Sequence, residues 1–101
     1  MMKERIENIQ EQEESLDKID SFIEKLEEVA DAWEKIQPNI KSISDYYSSK
    51  QWMEDYDAYN NGELPKMKCG VLSEDAIYNT LYKMRCVSIQ LMKTAIEVIE
   101  Q

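Results

Sequence analysis

The chain contains no histidine, and among its 101 residues there are only two glycines, two prolines and two cysteines. Without histidine the commonest general base and metal ligand is missing. A Ser-His-Asp or Cys-His site cannot be assembled, and neither can the Glu-x-x-His pairs of a carboxylate di-metal bundle. Gly62 and Gly70 stand eight positions apart, so no glycine-rich phosphate loop exists. A β-rich fold would need turn residues about every 8–12 positions, and the supply is far too small. Cys69 and Cys86, seventeen positions apart, can build neither a disulfide framework nor a structural zinc site. No run approaches the ~18 apolar residues of a membrane span. The opening Met1-Met2-Lys3-Glu4-Arg5-Ile6-Glu7-Asn8 has no apolar stretch of the kind a signal peptide carries. These absences predict a cytoplasmic, non-catalytic protein with no cofactor and no metal.

Basic residues are scarce as well. Lys and Arg number 12 against 21 Asp and Glu, a net charge of −9. Most of the excess falls in residues 1–36, where twelve acids meet five bases. Clustered Lys and Arg are what bind phosphate backbones, so this field disfavours nucleic acid and anionic membrane as partners. A solvated acidic helix face explains the charge most simply; an acidic mimic docking on a basic protein is the sharper alternative.

What the chain does contain is helical periodicity. Hydrophobic residues make up 43% and charged residues 33%, a balance too apolar for a disordered tail. Ile9, Leu16, Ile23 and Ala30 recur every seven residues; Ile19, Leu26 and Trp33 form a second row; Phe22, Val29 and Ile36 form a third. Adjacent rows differ by three or four positions, which makes one broad apolar stripe on an α-helix. Three rows predict a face buried in a bundle rather than a two-stranded seam. A helix over residues 3–36 spans about 50 Å and needs an equally long cover.

Pro38 lacks an N–H and disfavours helix at Gln37, so a break or kink is expected there. Ile36, Ile40, Ile43 and Tyr47 nevertheless keep helical spacing across it, and helix should resume at once. Ser48-Ser49-Lys50-Gln51 reads as a capping box that starts a short helix over residues 49–60, ended by Asn60-Asn61-Gly62. Residues 61–72 are the one real loop. Ser73 then supplies an N-cap oxygen, Glu74 and Asp75 suit the helix dipole, and Leu72 can staple onto Ile77. The last helix carries Ile77, Leu81, Met84, Leu91, Ala95 and Val98 on its main stripe, widened by Ile89, Met92, Ile96 and Ile99. One neighbouring helix cannot cover so much, which points to a second neighbour, including one from a second chain. The prediction is one all-α domain over residues 1–101: an up-down helical bundle with a long N-terminal helix, a Pro-kinked or broken middle pair and a long C-terminal helix.

Two segments invite a search for chemistry. Asp55-x-Asp57-x-Tyr59-x-Asn61-Gly62 has the outline of a calcium loop, but the sixth position from Asp55 is Asn60 and the twelfth is Lys66, where glycine and glutamate are required. Segment 46–59 holds five of the nine aromatic residues, Tyr46, Tyr47, Trp52, Tyr56 and Tyr59, with Asp55 among them. Such residues recur at binding hot spots. They equally plug junctions between helices, and that reading carries more weight. With Tyr78 they make the candidate binding patch. Cys86 reads as a small apolar residue and Cys69 as an exposed thiol.

Gln37-Pro38, Asp45-Tyr46-Tyr47-x-Ser49-x-x-Trp52-x-x-Asp55, Leu64-Pro65 and Gly70-Val71-Leu72-Ser73-Glu74-Asp75-Ala76-Ile77-Tyr78 together resemble a family of small bacterial proteins, the domain of unknown function 4298. The likeness spans nearly the whole chain. Its specific strings are Tyr-Tyr-x-Ser-x-x-Trp and Gly-Val-Leu-Ser-Glu-Asp; the family has glycine where this chain has Ser48. The resemblance implies a helical protein of about this length, with no catalytic residue to carry over.

The functional expectation is therefore a helical interaction or scaffold protein. It would bind a protein partner, or itself as a homodimer, through the aromatic patch or the C-terminal helix. The alternative is a small-molecule or peptide-binding module with a groove lined by Tyr, Trp and Asp. Tyr46 or Tyr78 hydroxyls pointing into a deep pocket would favour it.

Overall fold

A computed structural model describes residues 1–101. The chain is all-helical: α1 (Met2–Tyr47), α2 (Lys50–Asn60), a single 3-10 turn (Gly70–Leu72) and α3 (Ala76–Ile99). No helix is long and apolar enough to cross a membrane. The residues group into two compact units, Met1–Gln37 and Pro38–Gln101.

The Met1–Gln37 unit is helical from Met2 onward, as its wealth of Glu and its lack of Gly and Pro favour. The apolar rows are present as read, yet no residue of α1 is buried. Lys35 pairs with Asp31 at 2.8 Å. Both are exposed, so the pair adds only a few tenths of a kcal/mol.

The expected break at Pro38 is absent: α1 continues through it to Tyr47. Pro38 forfeits one bond, to the Glu34 carbonyl, at a cost of about 3 kcal/mol. The loss is offset because Ile43, Tyr46 and Tyr47, on the last two turns, pack against the core of the 38–101 unit. Helical geometry up to that point is what carries them there.

That core consists of Trp52, Leu72 and Ile77, one each from α2, the 3-10 turn and α3. Its formation depends on how each helix starts and stops. At Tyr47 the chain turns through Ser48 and Ser49. The cap of α2 is Ser49 and not Ser48. The Ser49 hydroxyl accepts from the Trp52 N–H at 3.2 Å and donates to the Tyr46 carbonyl at 2.6 Å, joining the end of α1 to the start of α2. Ser48 donates back to the Ser44 carbonyl, and Gln51 donates to Asp55 at 2.7 Å, so the expected capping box does not form.

The stop signal of α2 works as read. Gly62 takes φ +72°, its N–H donates to the Tyr59 carbonyl, and the Glu63 N–H donates to Ala58. This is the Schellman arrangement, for which the left-handed residue is best a glycine. Residues 55–60 are helical, so the first half of the segment with a calcium-loop outline is not a loop. Ser73 accepts from the Ala76 N–H at 3.2 Å, but α3 starts at Ala76 with Asp75 at the cap position, two residues later than expected; Leu72 and Ile77 meet in the core.

Candidate functional site

Trp52 organises the candidate patch. Helical spacing from the Ser49 cap turns its indole inward, where 8% of the residue is exposed. The ring N–H donates to the Val71 carbonyl at 2.8 Å, satisfying the one polar atom of the side chain. Tyr47 meets the indole edge-on, with centroids 5.3 Å apart at 75°; Tyr56 stacks on it at 5.1 Å and 17°. Both geometries suit aromatic quadrupoles and add roughly 0.5–1.5 kcal/mol each beyond area burial.

Three tyrosine hydroxyls are spent around this stack. Tyr47 donates to the Glu74 carbonyl at 3.2 Å and Tyr56 to the Glu74 carboxylate at 2.8 Å, so Glu74 gathers both flanking rings. Tyr46 donates to one Asp55 oxygen at 2.6 Å while Gln51 occupies the other. Burial, reinforced by the Asp55 carboxylate, pushes the Tyr46 phenol up to about 12. The hydrogen bonds from Tyr46 and Gln51 hold Asp55 below the usual carboxylate range. At neutral pH this pair is a neutral donor clamped on an ionised acceptor. Neither group has a proton to exchange there, so the pair acts as a strut.

Five of the seven candidates, Tyr46, Tyr47, Trp52, Asp55 and Tyr56, thus come together. Tyr59 and Tyr78 do not join them: they are 48% and 58% exposed, and Tyr78 stacks instead on Tyr82 at 6.4 Å. Sequence reasoning missed Glu74, assigned only to the helix dipole, and Val71, whose carbonyl anchors the indole. It also transposed the cysteines, since Cys69 packs half-buried against the core while Cys86 is exposed.

Beside the cluster runs a shallow groove of about 290 Å³, lined by Ile43, Lys68, Gly70, Val71, Ile77 and Thr80 among others. Neither Tyr46 nor Tyr78 lines it.

The two sequence strings singled out above are therefore the two halves of one joint. Tyr47 and Trp52 of the first hydrogen-bond to Glu74 and Val71 of the second. A family model, Domain of unknown function (DUF4298), matches residues 9–94. The chain belongs to that family. No curated protein and no solved structure matches it.

Proposed function

We propose that this member of the domain of unknown function 4298 family is a non-catalytic interaction protein that meets a protein partner by helix packing. The observation that supports it is the state of the apolar rows. Ile9, Leu16, Ile19, Phe22, Leu26 and Val29 are each 50–59% exposed. Contiguous exposed apolar surface of this kind marks interaction sites. Covering a half-exposed Leu, Ile or Phe gains on the order of 1 kcal/mol, so the six rival the stability of a small domain.

The contact surface in this reading is the exposed rows of α1 and of the C-terminal helix. Trp52 and its ring partners act as the joint that fixes the 38–101 unit. The up-down bundle is the arrangement we assign to the assembled state, with partner helices laid along those rows. Net charge −9 directs the protein away from nucleic acid and anionic membranes. Two free cysteines suit a reducing cytoplasm.

Leu16→Glu with Ile23→Glu tests the reading. Both positions are exposed and lie outside the aromatic joint, so the near-ultraviolet signal of the joint should persist while partner capture is lost. Equal capture by wild type and variant would remove α1 as the contact surface.

A small-molecule or peptide site in the 290 Å³ groove takes second place. Its volume lies at the lower edge of ligand pockets, and the Tyr46 hydroxyl that should point inward is engaged by Asp55.

A further inference from the structure

Two apolar stripes are exposed, on helices whose net charges are of opposite sign. On α1, Glu13, Asp20, Glu27 and Glu34 recur every seven residues. Each lies four positions beyond a member of the Ile9–Leu16–Ile23–Ala30 row, so an unbroken acidic ladder borders that row. On α3, Tyr78, Tyr82, Met92, Ile96 and Ile99 follow helical spacing along a face distinct from that of buried Ile77, and they are 48–79% exposed. Arg85 stands in the same line, one turn beyond Tyr82, and Lys93 lies beside Met92. The ion pairs of the chain involve Asp31, Lys35, Lys41, Asp45, Lys50 and Glu54, and none of these ladder acids or α3 bases. Across its whole length α3 has three bases and one acid, whereas α1 has thirteen acids and six bases.

We propose that the cover is a second copy of this chain, with α1 of each copy laid against α3 of the other. This rests on the helix-packing reading above and names its occupant. Length fits: the rows from Ile9 to Ile36 extend about 40 Å and α3 about 36 Å. Area fits: two such pairings bury on the order of 2,000 Å², the size of a stable dimer interface. Charge decides between pairings. Laying α1 on α1 brings together two helices that each carry seven more acids than bases, even though Lys18 and Lys25 line the far margin of the stripe, whereas α3 carries two more bases than acids and offers Arg85 and Lys93 to the ladder. Reciprocal α1–α3 contacts also close on themselves under two-fold symmetry, so the assembly stops at two.

Sedimentation equilibrium of the full chain between about 1 and 100 µM tests this, against the affinity range of such interfaces. The expected mass is twice 11.9 kDa. Two charge reversals, Asp20→Lys with Glu27→Lys and Arg85→Glu with Lys93→Glu, should each weaken the dimer by roughly tenfold or more. An equimolar mixture of the two variants should restore it, because each copy then offers the charge the other needs. Tighter association of the α1 variant alone would mean that α1 pairs with α1. Lack of rescue in the mixture would mean that α3 pairs with α3. A monomeric mass throughout would mean that the stripes are covered within one chain or by a different protein. Any of these overturns the proposal. A monomer that still loses a partner on Leu16→Glu with Ile23→Glu leaves the helix-packing reading standing, and a monomer that loses none removes both.

Discussion

Replacing Trp52 by phenylalanine isolates the contribution of one hydrogen bond and one ring to the joint. The substitution keeps an aromatic ring between Tyr47 and Tyr56 and deletes the indole N–H that donates to Val71 at 2.8 Å. A part-buried carbonyl left without its donor costs about 1–3 kcal/mol. Phenylalanine is smaller than tryptophan by roughly 40 Å³, and an unrelaxed void of that size adds about 1 kcal/mol. The two effects sum to about 2–4 kcal/mol. For a unit the size of residues 38–101, whose whole stability is about 3–10 kcal/mol, that is a large fraction. With a urea m-value near ~1 kcal/mol/M, the midpoint should fall by roughly 2–4 M, followed by circular dichroism at 222 nm and in the aromatic band. Tyr59→Phe, at an exposed ring, is the control and should stay within about 0.5 kcal/mol. A Trp52→Phe loss no larger than the control's would refute the view that the indole bond holds the two sequence strings together.

Two further outcomes follow from the same joint. Tyr46 has its folded pKa raised to about 12, so the stability it confers is complete below its ordinary value near ~10 and is lost as pH climbs from there through 12. Asp55 has its folded pKa lowered, so its share is present above the ordinary carboxylate value and is lost as acid takes the pH down through the folded value. Urea midpoints against pH should show both limbs in wild type. Tyr46→Phe should flatten the alkaline one, and an unchanged alkaline limb in that variant would count against the pairing. Ser49→Ala should cost about 1 kcal/mol and Ser48→Ala much less, because Ser49 alone caps Trp52; equal losses in chemical denaturation would restore the Ser48 cap.

The helices were legible because periodicity and stop signals report on local geometry. The apolar rows define α1, the Asn60-Asn61-Gly62 run supplies the left-handed residue that ends α2, and Ser73 offers its oxygen to Ala76. Pro38 misled because its rule concerns one lost bond, whereas the outcome depended on Ile43 and Tyr47 reaching a core formed by Trp52, Leu72 and Ile77 further along the chain. Ser48 misled for a similar reason. The adjacent serines offer rival caps, and the capping-box pattern with Gln51 favours Ser48. Capping from Ser49 instead turns Trp52 inward, and that burial outweighs one glutamine contact. The role of Glu74 was hidden because nothing local reveals that two tyrosine hydroxyls will sit opposite it. Tyr59 keeps helical spacing from Trp52 and Tyr56, and Tyr78 closes the second string, yet both are exposed, and Tyr78 stacks on Tyr82 instead.

The distinction between inner and outer faces of a helix bears on function. An aromatic residue whose ring and polar atom are both satisfied inside its own chain has little left to offer a partner, and Trp52, Tyr46, Tyr47 and Tyr56 are in that state. Their energy goes into packing α2, the 3-10 turn and the start of α3 around one core. The rows of α1 are the reverse case: regular, apolar and exposed. Helices in proteins owe most of their stability to packing of the apolar face, so a row of this length gains its stability from whatever covers it. Association through such rows would then order α1 at the same time as it forms the interface. Helicity of residues 1–37 should accordingly rise with protein concentration if the cover is a second copy, while the aromatic-band signal of the joint stays constant. A concentration-independent helicity would separate the stability of α1 from association altogether.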